Sequence, residues 1–112
     1  VAIDNDPVAV KAAIENVKLN RVQAAVRCSA GSLAEAAAET YDLIVVNILA
    51  RVIIAMCEAG LGRVIRPGGL AIFAGLIDTQ EYGVREALLA QGLSVIDRLQ
   101  EKDWVCLIAR KA

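Results

Sequence analysis

Apolar residues recur along this chain in two periods, and the alternation between them lays out the elements. Val1-Ala2-Ile3 is a short apolar run closed by Asp4, and Asp4-Asn5-Asp6-Pro7 reads as a turn into a helix. Asp6 can cap the exposed amides there, and Pro7 suits the first helical position, where its missing N–H is no loss. Ala9, Val10, Ala13, Ile14 and Val17 then recur at helical spacing, with Lys11, Glu15 and Lys18 facing outward. Leu19-Asn20-Arg21 ends the helix, with Asn20 expected in a left-handed cap. Val22 to Cys28 reads as a short strand, and Gly31-Ser32 opens a brief alanine-rich helix.

The second half alternates more clearly. Tyr41-Asp42-Leu43-Ile44-Val45-Val46-Asn47 is β-branched, almost wholly apolar and ended by an amide, the mark of a buried strand. A helix is predicted over Arg51 to Val64, stopped by an Arg66-Pro67-Gly68-Gly69 turn. Leu70 to Ala74 is a further strand, and a helix near Gln80 to Ala90 is closed by Gly92. Ser94 to Gln100 and Trp104 to Arg110 are two strands flanking the charged turn Glu101-Lys102-Asp103. Strand–helix alternation of this kind predicts an α/β fold with a doubly wound, mostly parallel sheet. The last two strands are too close for a crossover helix, so they form a C-terminal antiparallel hairpin.

Composition narrows the class. The chain has 112 residues, 57% hydrophobic and only 4% aromatic, which suits strands covered by helices on both faces. Its net charge is −1 and no long basic run appears, so no direct nucleic-acid partner is expected. No apolar stretch is long enough for a bilayer, so no membrane partner is expected either. Cys28, Cys57 and Cys106 lack metal or redox spacing and sit among apolar residues, as buried reduced thiols of a cytoplasmic protein would. With no histidine, zinc chemistry and a Ser-His-Asp hydrolase are disfavoured, and no metal site is expected.

Open α/β sheets bind ligands at the carboxyl ends of their strands. Two polar residues end otherwise apolar strands there, Asp4 and Asn47. A carboxylate ending an early strand can accept from both hydroxyls of a ribose; the alternative is a turn or capping carboxylate, a part that Asp6 already fills. Asn47 interrupts Val45-Val46-Asn47-Ile48-Leu49, where an unpaired buried amide costs about 1–3 kcal/mol, so it should have partners. Those belong either to a cap on the next helix or to a ligand in the crevice. Gly60-x-Gly62 matches no dinucleotide fingerprint. Pro67-Gly68-Gly69 precedes a strand, whereas a phosphate loop opens a helix. Trp104, on a closing strand, is expected to pack.

These pieces resemble the class I methyltransferases and, more narrowly, the ribosomal protein L-eleven methyltransferases. The resemblance is carried by Ile3-Asp4-Asn5-Asp6-Pro7 with the helix that follows and Asn16, and by Tyr41 to Asn47 continuing into Ile48-Leu49-Ala50. Pro67-Gly68-Gly69, Ala74-Gly75-Leu76-Ile77 and Asp103-Trp104-Val105 complete it. Pro-Gly-Gly is widespread among methyltransferases, whereas Asn-Ile-Leu-Ala is narrower, amino-directed relatives more usually showing Asn-Pro-Pro and an aromatic. The resemblance implies a Rossmann-like domain over residues 1–112 that uses S-adenosyl-L-methionine, with Asp4 on the ribose hydroxyls and Asn47 beside the methionine part. It implies methyl transfer to lysine side-chain and N-terminal amino groups of a large-subunit ribosomal protein, in the cytoplasm. No residue is singled out as catalytic.

The family's first strand and glycine-rich loop have no counterpart here. That strand would lie between those ending at Asp4 and Asn47. Its loss removes about five buried apolar side chains, on the order of 10 kcal/mol, which rivals the stability of a whole domain. A truncated record of a longer protein is therefore expected, with swapping or rearrangement as the alternative. Two other functions fit the same residues: another class I methyltransferase with a small-molecule or different protein substrate, and a non-catalytic Rossmann-like interaction module.

Overall fold

The computed structural model describes all of residues 1–112 and resolves into two compact units, Val1–Ala38 and Glu39–Ala112. In the first, strand β1 (Ala2–Asp4) pairs in parallel with β2 (Cys28–Ala30), and helix α1 (Pro7–Leu19) connects them. A single turn of helix, α2 (Leu33–Ala36), follows. Asp6 caps α1 as expected, its Oδ1 accepting from the Val8 amide at 2.9 Å with Pro7 in the first turn. Ala9, Val10, Ala13 and Val17 form the half-buried face of α1, while Ile14 stays 37% exposed.

Two local expectations give way in this unit. Asn20 has φ −88° rather than a left-handed cap, and the positive φ falls on Arg21, at 56°. The Asn20 side chain instead donates to the Asn16 carbonyl at 2.8 Å, closing the helix by a different route. The strand expected over Val22 to Cys28 is a turn, with the Ala25 and Val26 amides both donating to the Val22 carbonyl. Alanines at 24 and 25 lack the branched side chains that favour a strand, so pairing begins only at Cys28.

The second unit holds β3 (Tyr41–Asn47), α3 (Ala50–Glu58), β4 (Ile65–Ile77), α4 (Glu81–Ala90), β5 (Leu93–Glu101) and β6 (Trp104–Lys111). Its sheet has the order β3-β4-β6-β5. β3 and β4 are parallel, and β6 runs antiparallel between β4 and β5. β4 and β5 therefore share a direction and are joined through α4, a crossover unit into which the C-terminal hairpin folds back. This is the α/β class with a closing hairpin that the alternation predicts. β1 and β3 are each an edge of their own sheet.

All of the buried core lies in this second unit. Ile53 and Cys57 of α3, and Val84 and Leu88 of α4, are spaced i, i+4 and so share one face of their helices. They are buried along with Ala71 and Phe73 of β4 and with Val105, Leu107 and Ala109 of β6. Burying a side chain of this size contributes roughly 1.5–3 kcal/mol. The other sheet face is barer: Leu43 and Val45 are 51% and 65% exposed although both were expected to be buried. An unbroken apolar run does not report which face a helix covers.

The helix predicted from Arg51 to Val64 stops at Glu58. Gly60 takes φ +97°, and a 3-10 turn over Leu61–Val64 leads into β4. The expected turn at Arg66-Pro67-Gly68-Gly69 is an insertion in β4: Tyr41 aligns with Ile65, but Leu43 aligns with Leu70. Arg66 closes it through a 2.8 Å ion pair with Asp42.

Candidate functional site

At the carboxyl ends of β3 and β4 the second unit has an open cavity of about 820 Å³. Its walls are residues 47–49 of the β3–α3 junction, 74–75 of β4, and 99–101 and 104–106 of the hairpin. The volume is within the range of small-molecule sites.

Asn47 forms part of this wall. It is exposed rather than enclosed, and its amide has no hydrogen-bond partner in the protein. The expectation that it must be paired came from its apolar neighbours; being open to solvent, the amide carries no such cost. It does not cap α3, whose first turn begins after Leu49 without a side-chain cap.

Across from it, β4 bulges. Phe73 pairs with Leu107 but Leu76 pairs with Val105, so β4 has one residue more than β6 at Ala74–Gly75. Bulges of this kind re-aim a strand and are frequent beside active sites. Gly75 has φ +90°, and its backbone lies against that of Ile48. A lone glycine inside a strand pattern is a sequence signal for such a bulge.

Trp104 departs from expectation. Instead of packing, it is 59% exposed and lines the cavity with Leu99, itself 59% exposed. Sequence reasoning passed over it because tryptophan on a strand usually packs. Its position one residue beyond the hairpin turn, at the strand end nearest the site, was the available signal.

Asp4 belongs to the first unit and ends β1. It is exposed, and its Oδ1 accepts from the Asp6 amide at 2.9 Å, so it also serves as a turn carboxylate. A small cavity of about 150 Å³ between α1 and the β1–β2 pair borders it. No cluster of three or more metal-ligating side chains exists in the chain, and no helix is long and apolar enough to cross a membrane. The three cysteines are unpaired; Cys57 is buried as expected, while Cys28 and Cys106 are only partly so.

A parallel α/β sheet closed by an antiparallel hairpin, with a cavity at its carboxyl edge, defines the Rossmann-like methyltransferase class. The chain superposes with a TM-score of 0.85 on a ribosomal protein L11 methylase from Lactobacillus delbrueckii subsp. bulgaricus, at 27% identity, over 99% of this chain and 57% of that one. A methyltransferase from Pyrococcus furiosus shares the fold at TM-score 0.77 and 18% identity, over 99% of this chain and 61% of the other. The chain belongs to the ribosomal protein L11 methyltransferase (PrmA) family, whose sequence model matches residues 1–112. The family's protein from Anoxybacillus flavithermus is 41% identical over 98% of this chain, and that from Desulfosudis oleivorans 39% identical over 97%. The chain spans 35% and 37% of the lengths of these two relatives.

Proposed function

We propose that residues 1–112 form part of an S-adenosyl-L-methionine-dependent methyltransferase domain that modifies amino groups, lysine side chains and an N-terminal amine, of a large-subunit ribosomal protein in the cytoplasm. The observation that carries this reading is the cavity in which the free amide of Asn47, the glycine bulge at Gly75 and the exposed indole of Trp104 meet. Family membership supports the reaction, and the names of its relatives, ribosomal protein L11 methyltransferases, support the substrate.

Each of the two strand-end residues suits one part of the cofactor. An exposed carboxylate at Asp4 fits vicinal ribose hydroxyls, and a free amide at Asn47 fits an amino-acid end, which both donates and accepts. When bound, the cofactor supplies a methyl group already activated on a sulfonium. What remains for the protein is placement. The Asn47 carbonyl oxygen can accept from an incoming amine and fix its direction. The Trp104 face gives that amine's alkyl stem an apolar surface and its charged form a cation–π contact, the latter worth about 0.5–1 kcal/mol at an exposed site. Holding reactants at near-attack geometry lowers a barrier by up to roughly 7–11 kcal/mol, so a strong base is unnecessary once the amine has lost its proton.

Calorimetric titration of S-adenosylhomocysteine tests this, into the chain and into a form extended upstream through a glycine-rich loop. The reading expects binding by the extended form, and methylated lysine or N-terminal amine when it is incubated with cofactor and ribosomal protein L11. A well-folded extended form that binds nothing would leave the interaction-module reading in its place. Binding with methylation of other acceptors alone would point to a methyltransferase of different substrate.

A further inference from the structure

The β5–β6 hairpin supplies one wall of the cavity, and its turn is braced by further contacts. Lys102 has φ +55°, a left-handed conformation that residues with a Cβ disfavour. Beyond the strand pairing of Glu101 with Trp104, two bonds brace the turn. Gln100 Nε2 donates to the Lys102 carbonyl at 2.9 Å, and the Asp78 amide donates to the Asp103 carbonyl at 2.9 Å.

Gln100 is itself held from the other side. Its Oε1 accepts from Arg98 Nη2 at 2.7 Å. Arg98 Nε in turn donates to both oxygens of Glu81, at 2.8 and 2.9 Å. Glu81 opens α4, whose Val84 and Leu88 are in the core, and it also accepts from Arg85 at 2.7 Å. The connection thus runs from a core helix through Glu81, Arg98 and Gln100 to the carbonyl two residues before Trp104. The carboxamide of Gln100 serves both ends, accepting from a guanidinium at one atom and donating to a carbonyl at the other.

We propose that Gln100, oriented by Arg98, is a positioning residue of the methyl-transfer site: it fixes the 101–104 turn and thereby keeps the exposed Trp104 indole on the cavity wall where the acceptor amine enters. The role in catalysis rests on the function proposed above; the mechanical role does not. Trp104 is the chain's sole tryptophan, so its fluorescence reports on the turn directly.

Gln100→Glu keeps the Arg98 contact but turns a repelling oxygen toward the two acceptors that Nε2 serves, the Lys102 carbonyl and, at 3.4 Å, the Asp78 carboxylate. In the 112-residue chain the variant should lower Trp104 anisotropy and raise its quenching by acrylamide, with the circular dichroism unchanged. In the upstream-extended form it should raise the KM for the protein acceptor about 2- to 10-fold, the range carried by one hydrogen bond, with S-adenosylhomocysteine affinity unchanged. Arg98→Lys, which keeps a charge for Glu81 but gives up the bond to Gln100, should shift both readouts the same way and serves if Gln100→Glu misfolds. An indole whose mobility does not change overturns the proposal, and so does a loosened indole with an unaltered acceptor KM. If the unsubstituted extended form methylates nothing, the proposed function fails, and the indole measurement alone decides whether Gln100 holds the turn.

Discussion

Gly75 and Ile48 lie so close that a Cβ on Gly75 would sit 2.5 Å from the Ile48 carbonyl oxygen and 2.9 Å from its nitrogen. The Ile48 amide also donates to the Ala74 carbonyl at 3.1 Å, so the β4 bulge and the β3–α3 junction are locked backbone to backbone. Gly75→Ala meets two obstacles at once, a positive φ and a clash with main chain that cannot swing aside. The φ term alone costs about 1–3 kcal/mol. The total should exceed that, as a lowered midpoint in urea unfolding, and ligand affinity should fall further because Ile48 adjoins Asn47. A variant with the unsubstituted midpoint would show that the two segments are free to separate.

Asn47→Ala should behave in the opposite way. Its amide is exposed and makes no hydrogen bond within the protein, so its loss should leave stability within about 0.5 kcal/mol. A contact to cofactor or amine would be lost instead, weakening S-adenosylhomocysteine binding or slowing methyl transfer about 2- to 10-fold in the extended form. Unchanged binding and turnover would remove Asn47 from the site.

How far the molecule was legible in its sequence follows from the range of the forces involved. The strand Tyr41–Asn47, the Asp6-Pro7 helix start and the closing hairpin were readable because local pattern decides each of them. Asn47 stands out in the sequence for its place at a strand's carboxyl end; it does line the cavity there, but exposed rather than buried. The exposure of Trp104 was hidden, because it depends on what covers a sheet face rather than on neighbours in the chain. The link from Glu81 through Arg98 to Gln100 was equally hidden, since it joins residues 17 apart on α4 and β5. Val22–Cys28 failed because its alanines carry little preference either way, and turn bonds to the Val22 carbonyl prevailed.

The three thiols should divide by reactivity. Burial, with the Glu58 charge as a smaller cause, pushes the Cys57 thiol up to about 11. At pH 8 about one molecule in a thousand would hold it as thiolate, and only the thiolate reacts. Titration of the folded chain with a disulfide reagent at pH 8 should show Cys28 and Cys106 reacting first, with Cys57 released only on unfolding. Three equally fast thiols would mean that the α3–β4 packing opens readily.

The same cluster that braces the hairpin should make stability sensitive to acid. Partial burial pulls the Glu81 carboxyl upward, but hydrogen bonds from Arg85 and Arg98, reinforced by their charges, outweigh it and hold the group below its ordinary 4.5. Unfolding releases both arginines and restores that ordinary value, so near and below pH 4.5 the unfolded chain binds the proton more readily than the folded one. The contribution of Glu81 is therefore complete above about 4.5 and is lost as pH falls through the lower folded value. Glu81→Gln removes the titrating group while keeping an acceptor for one arginine. The variant should be less stable than the unsubstituted chain at pH 7, and the gap should narrow between pH 4.5 and pH 3 in urea unfolding. Part of the effect should also disappear in high salt, since both arginines are more than a third exposed. A gap of constant size across that pH range would mean that Glu81 titrates alike in both states and that its bonds to Arg85 and Arg98 do not persist in solution.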